Sequence, residues 1–149
     1  MRIVAGTLKN RRIKSREGRE TRPTLERIKE AIFSIIGEKV ADAKFLDLYS
    51  GTGNVSFEAL SRGAKRAIMI EEDREALRII IENVNHLGME DKCRAYKNDA
   101  FRAIEILARK NEIFDIIFLD PPYKENISTK TIEKISEENL LERDGIIIS

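Results

Sequence analysis

The chain of 149 residues is 42% hydrophobic and 36% charged, with a net charge of +1. This composition is too apolar for a disordered chain and too charged for a membrane protein, so we expect one soluble, cytoplasmic α/β domain with its own core. A single cysteine and a single histidine exclude an internal disulfide and leave little material for a zinc site or a Ser-His-Asp triad, so we predict no metal site.

Basic side chains are concentrated at the start of the chain. Residues 1–29 hold ten basic and three acidic side chains, and the remainder holds 17 basic and 23 acidic ones. Two β-prone stretches on either side of Gly6 predict a hairpin with outward-facing cations. A basic arm over residues 1–22, ahead of a domain over residues 23–149, indicates a nucleic-acid partner, although a merely solvated surface would have the same composition. The candidate phosphate contacts are Arg2, Lys9, Arg11, Arg12, Lys14 and Arg22.

An amphipathic helix is predicted after the arm. Thr24 is a suitable N-cap and Gly37 a suitable end, and we expect the helix to be scaffold. Its apolar face is predicted to consist of Leu25, Ile28, Ile32 and Ile35.

The first sheet strand is predicted at residues 44–49, followed by the turn Ser50-Gly51-Thr52-Gly53-Asn54 and a helix over residues 55–61. Strand, glycine turn and helix in this order indicate a nucleotide-binding loop, because glycines allow a ligand to approach the backbone closely. The glycine pattern of phosphate-binding loops is incomplete here, since Phe57 occupies the position of its third glycine. Asp47 inside the strand could face a cationic amino group, which favours S-adenosylmethionine over a dinucleotide.

A second strand is predicted at residues 66–71 and ends in an acidic residue. Glu71 lies 20 residues after Gly51, which is the spacing at which a carboxylate can accept from both ribose hydroxyls. Asp73 could instead act as the N-cap of a helix over residues 74–87.

The third strand, at residues 93–97, is predicted to bury Cys93 in the core. Asp99 follows this strand and precedes a helix over residues 101–110. Its carboxylate could accept a hydrogen bond from an adenine amino group or act as the N-cap of the helix, and the two roles are compatible.

The fourth strand is predicted at residues 114–119, a short apolar run ended by two prolines. Asp120 therefore lies at a carboxyl end of the sheet, where open parallel sheets bind their ligands. An ionised Asp120 and the carbonyls of Pro121 and Pro122 can only accept hydrogen bonds, so they could orient a nucleobase amine toward an electrophile. Tyr123 would stack on the base. An ordinary turn that ends a strand is the alternative.

A helix over residues 129–141, a turn at Asp144-Gly145 and a fifth strand at residues 146–148 complete the predicted elements. Four groups of residues match the pattern of a known family. They are Arg22-Pro23-Thr24 with Glu30-Ala31 and Phe33, Leu46 to Gly53, Glu58-Ala59-Leu60-Ser61-Arg62-Gly63-Ala64, and Asp120-Pro121-Pro122-Tyr123. In these residues the chain resembles the bacterial class I methyltransferase family that modifies the guanine N2 of 16S ribosomal RNA.

The resemblance implies a Rossmann-like, doubly wound parallel sheet in the order 3-2-1-4-5 and methyl transfer from S-adenosylmethionine to 16S rRNA in the assembling small ribosomal subunit. The implied catalytic residues are Asp120, Pro121, Pro122 and Tyr123. The implied cofactor-binding residues are Asp47, Tyr49, Gly51, Gly53, Glu71, Asp99 and Ala100. The family fold continues into a final β-hairpin, so we expect the fifth strand to be an exposed edge through which two copies could pair. A DNA adenine-N6 methyltransferase and a non-catalytic RNA-binding module are the alternatives.

Overall fold

The structure, a computed structural model, describes residues 1–16, 22–122 and 126–149, and of residues 22–24 only the backbone. Strands and helices alternate through the described chain, and a short 3-10 helix, Gly37–Val40, follows the first helix. The elements are α1 (Arg22–Ile36), β1 (Lys44–Leu48), α2 (Asn54–Ser61), β2 (Arg66–Glu71), α3 (Arg74–Leu87), β3 (Cys93–Lys97), α4 (Ala100–Arg109), β4 (Phe114–Leu119), α5 (Ile127–Glu137) and β5 (Leu141–Ile148).

The strands form one parallel sheet in the order β3-β2-β1-β4-β5, which confirms the predicted order. In the centre of the sheet, Leu46 of β1 pairs with Ile68 of β2 and with Ile117 of β4. The chain leaves β1 toward β2 on one side and later returns to β4 on the other. The carboxyl end of β1 is therefore the switch point at which such sheets bind ligands.

Helices cover both faces of the sheet, as predicted for a doubly wound fold. Phe45 of β1 belongs to the core under α1, α2 and α3, whereas Leu46 belongs to the core under α4 and α5. Successive strand residues point to opposite faces, so one strand supplies both cores. Cys93 is buried, as predicted. Within the part of the chain that the structure describes, no helix has the length and apolar character needed to cross a membrane.

Helix α1 differs from its prediction in its start and in its buried face. It begins at Arg22, so Thr24 lies inside the helix and is not its N-cap. Pro23 is compatible with the first turn because the N–H groups of that turn have no helical partner. The predicted apolar face is only partly confirmed: Leu25 and Ile32 pack against the core, whereas Ile28 and Ile35 are 52% and 76% exposed. The helix instead buries Lys29, Phe33 and Ile36.

The segment before β5 was predicted as the end of a helix and a turn, and both predictions are wrong. Helix α5 ends at Glu137 and β5 begins at Leu141. Asp144 and Gly145 lie within β5, where the pairing with β4 shifts register. A Cβ atom on Gly145 would lie 2.9 Å from the carbonyl oxygen of Asp115. This glycine therefore serves close packing at an irregular part of the strand.

The predicted N-terminal hairpin is present with a single antiparallel bridge between Arg2 and Arg12. The Ile3 N–H donates to the Arg11 carbonyl at 2.9 Å, and the Asn10 N–H donates to the Ile3 carbonyl at 2.8 Å. Ile3 is fully buried in the core under α1 to α3. Apolar anchoring of this kind holds the hairpin firmly against the rest of the molecule.

Candidate active site

The carboxyl ends of the central strands open into a cavity of about 880 Å³. The described residues that line it are Ser15, Arg16, Tyr49, Gly51, Thr52, Ile70, Glu71, Glu72, Asp73, Ala76, Asn98, Ala100, Asp120, Pro121 and Pro122. The structure thus brings together seven of the residues predicted for catalysis or cofactor binding. Asp47, Gly53 and Asp99 are not among the lining residues, and Tyr123 lies outside the described residues.

Glu71 joins the end of β2 to the glycine turn. Its Oε1 accepts from the Gly51 N–H at 2.7 Å, and its Oε2 accepts from the Asp73 N–H at 2.8 Å. Gly51 has a φ of +61°, and a Cβ atom built on it would meet nothing within 4 Å. The backbone conformation, and not crowding, therefore favours glycine here. The fixed carboxylate keeps further lone pairs with which it can accept from ligand hydroxyls.

Asp47 is buried and does not belong to the residues that line the cavity, so its contact with the cofactor stays a prediction. Its side chain is 1% exposed, and Oδ2 accepts from the Ser56 hydroxyl at 2.6 Å. Oδ1 is buried and has no hydrogen-bond partner among the described residues. Burial raises the pKa of Asp47 to about 7, although the hydrogen bond from Ser56 opposes this shift. The negative charges of Glu71 and Asp120 raise the pKa further.

We expect Asp47→Asn to flatten the pH dependence of stability. The folded-state pKa of Asp47, about 7, exceeds the ordinary value of 3.8. Stability from the protonated group is therefore complete below about pH 4 and is lost as the pH rises to about 7, by about 1.4 kcal/mol per pH unit. Urea unfolding between pH 4 and pH 8 measures this slope. The exposed variant Asp91→Asn is the control and should keep the wild-type slope; an unchanged slope in Asp47→Asn would contradict the expectation.

Asp120, Pro121 and Pro122 follow β4 directly and form one wall of the cavity. Asp120 is exposed, and none of the described residues donates a hydrogen bond to its carboxylate. The two prolines have no N–H, so their backbone can only accept. This wall thus consists of groups that can accept hydrogen bonds, and their role in orienting an amine stays a prediction.

Gly53 and Asp99 have structural roles next to the cavity. Gly53 has a φ of +87°, and a Cβ atom on it would lie 2.6 Å from the ring of Phe57. Asp99 is the N-cap of α4, where its carboxylate accepts from the N–H groups of Phe101 at 3.3 Å and Arg102 at 3.1 Å. The capping role of Asp99 is confirmed, and its contact with an adenine amino group stays a prediction.

Tyr49 links the cavity to helix α5. Its hydroxyl lies 2.8 Å from Thr131 Oγ1, which itself donates to the Ile127 carbonyl at 2.7 Å. Thr131 has one hydroxyl hydrogen, so Tyr49 is the donor. Tyr49 also has a φ of +63°, which is uncommon for an aromatic residue. Strained backbone of this kind persists where surrounding contacts enforce it, often at functional sites.

The charges around the cavity favour a cationic ligand. Four carboxylates line it, those of Glu71, Glu72, Asp73 and Asp120, against the single described cation, Arg16. Arg16 is itself paired with Asp73 at 3.1 Å. A dinucleotide would bring two phosphate charges into this negative field, whereas a ligand with a sulfonium and an ammonium group would be attracted.

Comparison with known proteins places the chain in a family. The family model described as "Conserved hypothetical protein 95" matches residues 1–149. "Putative rRNA methyltransferase YlbH" of Bacillus subtilis is 38% identical over 149 residues, covering 100% of this chain and 81% of that protein. "Ribosomal RNA small subunit methyltransferase D" of Escherichia coli is 30% identical over 147 residues, covering 99% of this chain and 72% of that protein. The chain belongs to this methyltransferase family.

Solved structures agree with the assignment and confirm the predicted class I methyltransferase fold. "Putative methyltransferase yhhF" from Escherichia coli superposes with a TM-score of 0.86 and 31% identity, over 99% of this chain and 78% of that one. A second structure, described as a putative methylase from Haemophilus influenzae, gives a TM-score of 0.79 and 28% identity, over 98% and 78% of the two chains.

The Glu58 to Gly63 block of this methyltransferase holds the N-terminal hairpin and does not line the cavity. The Glu58 carboxylate accepts from the N–H groups of Val4 at 2.9 Å and Ala5 at 3.1 Å. The Ser61 hydroxyl accepts from the Leu8 N–H at 2.9 Å and donates to the Ala5 carbonyl at 2.6 Å. The motif thus has a structural role, and no local pattern in the sequence indicates that its partner is the hairpin backbone.

A buried ion pair in the methyltransferase was also missed. Lys29 and Glu58 side chains are 1% and 0% exposed, and Lys29 Nζ lies 3.0 Å from Glu58 Oε1. Burial lowers the pKa of Lys29 although the carboxylate opposes this shift. Burial would raise the pKa of Glu58, but hydrogen bonds from Val4, Arg62 and Lys29 outweigh it and the pKa lies below the ordinary value. Lys29 is therefore not one of the cations available to a nucleic acid.

The predicted phosphate contacts of the methyltransferase fall into three groups. Arg2 pairs with Glu26, Lys14 pairs with Glu82, and Arg11 donates to the His86 carbonyl. Lys9 and Arg12 are exposed, and their side chains make no hydrogen bond or ion pair with any described residue. The side chain of Arg22 lies outside the described residues.

Proposed function

We propose that this chain transfers a methyl group from S-adenosylmethionine to the exocyclic N2 amine of a guanine in 16S rRNA. The observation that carries the proposal is the wall of acceptors at Asp120, Pro121 and Pro122, which lines the same negatively charged cavity as Glu71 and the turn at Gly51. The rRNA methyltransferase names of the relatives support the substrate class.

The residues present fit the cofactor. S-adenosylmethionine supplies an electrophilic methyl group on a positively charged sulfur. Glu71 is fixed by two backbone donors and would accept from the ribose hydroxyls. Gly51 leaves open space above the turn, and the carboxylates around the cavity offset the positive charges of the ligand.

The acceptor wall would prepare the amine for attack. The lone pair of a guanine amine is delocalised into the ring, so the amine is a poor nucleophile. Asp120 and one proline carbonyl would each accept one amine hydrogen, which turns the lone pair toward the methyl group. As the N–C bond forms, the bond between the methyl group and the sulfur breaks, and S-adenosylhomocysteine is the leaving group. The nitrogen must also lose a proton, which the exposed Asp120 carboxylate can receive. The guanine has to be unstacked to enter, so we infer a loop or bulge as its location in the assembling small subunit.

Transfer of a labelled methyl group tests the function. Wild-type protein is incubated with labelled S-adenosylmethionine and either unmethylated small ribosomal subunits, naked 16S rRNA or duplex DNA, and the labelled base is mapped. We expect label at a single guanine N2 of the rRNA. Label on adenine N6 of DNA would instead indicate a DNA methyltransferase, and no transfer with measurable RNA binding would indicate a binding module.

Pairing of two copies through β5 is a separate prediction.

The exposed hairpin cations give a prediction for RNA affinity. Lys9→Glu with Arg12→Glu should weaken binding of a 16S rRNA transcript at least about tenfold near physiological salt and reduce the salt slope by about two, because each phosphate contact releases counterions. Filter binding at several salt concentrations measures both quantities. Arg109→Glu with Lys110→Glu makes the same charge change at the end of α4, which covers the other face of the sheet, and binding should stay within about twofold of wild type. Equal losses in the two double variants would show that net charge alone decides affinity.

A further inference from the structure

Two buried polar side chains that the proposed reaction does not use connect the N-terminal hairpin to the glycine turn of the cavity. They are Lys29 on α1 and Asn83 on α3, each 1% exposed. A buried polar group is costly unless it is hydrogen-bonded, so the partners of these two side chains are strongly specified.

Lys29 bridges the first strand of the hairpin and the residue after the turn. Its ammonium donates to the Arg2 carbonyl at 2.8 Å and to Asn54 Oδ1 at 2.8 Å. Asn54 follows Gly53 directly and is the first residue of α2. If the hairpin moves at Arg2, either a hydrogen bond of Lys29 breaks or Asn54 moves together with the hairpin.

Asn83 makes a second bridge from the other strand of the hairpin. Its Oδ1 accepts from the Lys14 N–H at 2.8 Å, and its Nδ2 donates to the carbonyls of Lys14 at 2.9 Å and Thr52 at 3.2 Å. Thr52 lines the cavity, as do Ser15 and Arg16, which follow Lys14. The two bridges thus hold the turn on both sides of Gly53.

We propose that Lys29 and Asn83 are positioning residues through which RNA on the hairpin and the cofactor in the turn bind with positive cooperativity. The inference rests on the proposed function, since it takes RNA and S-adenosylmethionine as the two ligands. RNA bound on the hairpin restrains Arg2 and Lys14 further, and the bridges pass this restraint to Thr52 and Asn54. The cofactor then loses less conformational entropy in the turn when it binds, and by linkage the cofactor must strengthen RNA binding by the same factor.

A matched pair of substitutions at Asn54 separates this coupling from a merely structural role. Asn54→Leu removes the oxygen that accepts from Lys29, whereas Asn54→Asp keeps an acceptor in the same place. Asn54 is only half-buried and does not line the cavity, so both variants should fold. A structural role would lower the thermal midpoint of Asn54→Leu and leave cooperativity unchanged.

The experiment measures the Kd of S-adenosylhomocysteine, used as an unreactive probe, by calorimetry with and without a saturating 16S rRNA transcript. For wild type and Asn54→Asp, RNA should lower this Kd at least about fivefold, the lower end of ordinary allosteric coupling. For Asn54→Leu, which keeps the Asn83 bridge, the factor should fall to about half of the wild-type value or less. A factor of one in wild type, or the wild-type factor in Asn54→Leu, would overturn the proposal.

Two further outcomes are distinguishable. If the wild type does not bind S-adenosylhomocysteine at all, the proposed function fails and the cooperativity fails with it. If Asn54→Leu does not fold, amide hydrogen exchange of wild-type residues 51–54 decides instead. RNA alone should slow exchange in the turn, and unchanged exchange with RNA bound would overturn the coupling.

Discussion

Asp120→Ala should lower the kcat of methyl transfer by about a hundredfold or more while changing the Kd of S-adenosylhomocysteine by less than about twofold. The variant removes a charged acceptor from the wall at which the amine would be oriented, and single electrostatic groups of this kind contribute about a hundred- to a thousandfold. Asp120 is exposed and receives no hydrogen bond from any described residue, so its removal should leave the fold intact.

Single-turnover transfer to unmethylated small subunits and calorimetry with the product cofactor measure the two quantities. Asp91→Ala is the matched control, because Asp91 is also exposed and lies in the turn before β3, at the opposite edge of the sheet. Its kcat should equal that of wild type. A near-normal rate in Asp120→Ala would remove Asp120 from the catalytic role, and a joint loss of rate and cofactor affinity would assign it to cofactor binding.

Local patterns were sufficient to predict the strands and the switch-point turn. β2 and β4 are short apolar runs between clear breakers, and the turn at Gly51 has its acidic partner at Glu71. Each of these signals depends on neighbouring residues or on a fixed spacing, so the sequence alone contains it. The site wall at Asp120 was predictable for the same reason.

The predictions that failed depend on contacts between distant segments. Lys29, Phe33 and Ile36 have the spacing of one helix face, but a lysine in that face is ordinarily read as solvated. Its burial becomes intelligible only when Glu58 is placed beside it by the packing of α2 on α1. Asp144-Gly145 likewise has the composition of a turn. Only the folded structure shows that Gly145 lies within a strand, where the carbonyl of Asp115 limits the space beside it.

Glu58→Gln should lower the free energy of unfolding by about 3–5 kcal/mol, because the Lys29 ammonium would remain buried without its opposite charge. Thermal and urea unfolding at pH 7 measure the loss. Glu105→Gln is the matched control, since Glu105 pairs with Lys134 at 3.1 Å with half of its side chain exposed. Surface pairs contribute about 1 kcal/mol or less. Equal losses in the two variants would contradict the assigned importance of the buried pair.

The pH dependence of the same variant gives an independent check. The folded-state pKa of Glu58 lies below its ordinary value of 4.5. Its ionised form therefore contributes stability that is complete above about pH 5 and is lost as the pH falls toward the folded-state pKa. Wild-type protein should lose stability in this acidic range more steeply than Glu58→Gln does. Parallel curves would show that Glu58 is not the group responsible.

A double variant separates the charge of the pair from the hydrogen bonds that Glu58 makes to the hairpin. Lys29→Met with Glu58→Gln removes both buried charges, and the glutamine oxygen can still accept from Val4 or Ala5 but not from both. The double variant should therefore be more stable than Glu58→Gln alone, yet remain below wild type by about 1–3 kcal/mol for the unsatisfied groups. A double variant as unstable as Glu58→Gln would mean that the lost hydrogen bonds, and not the unpaired ammonium, destabilise the protein.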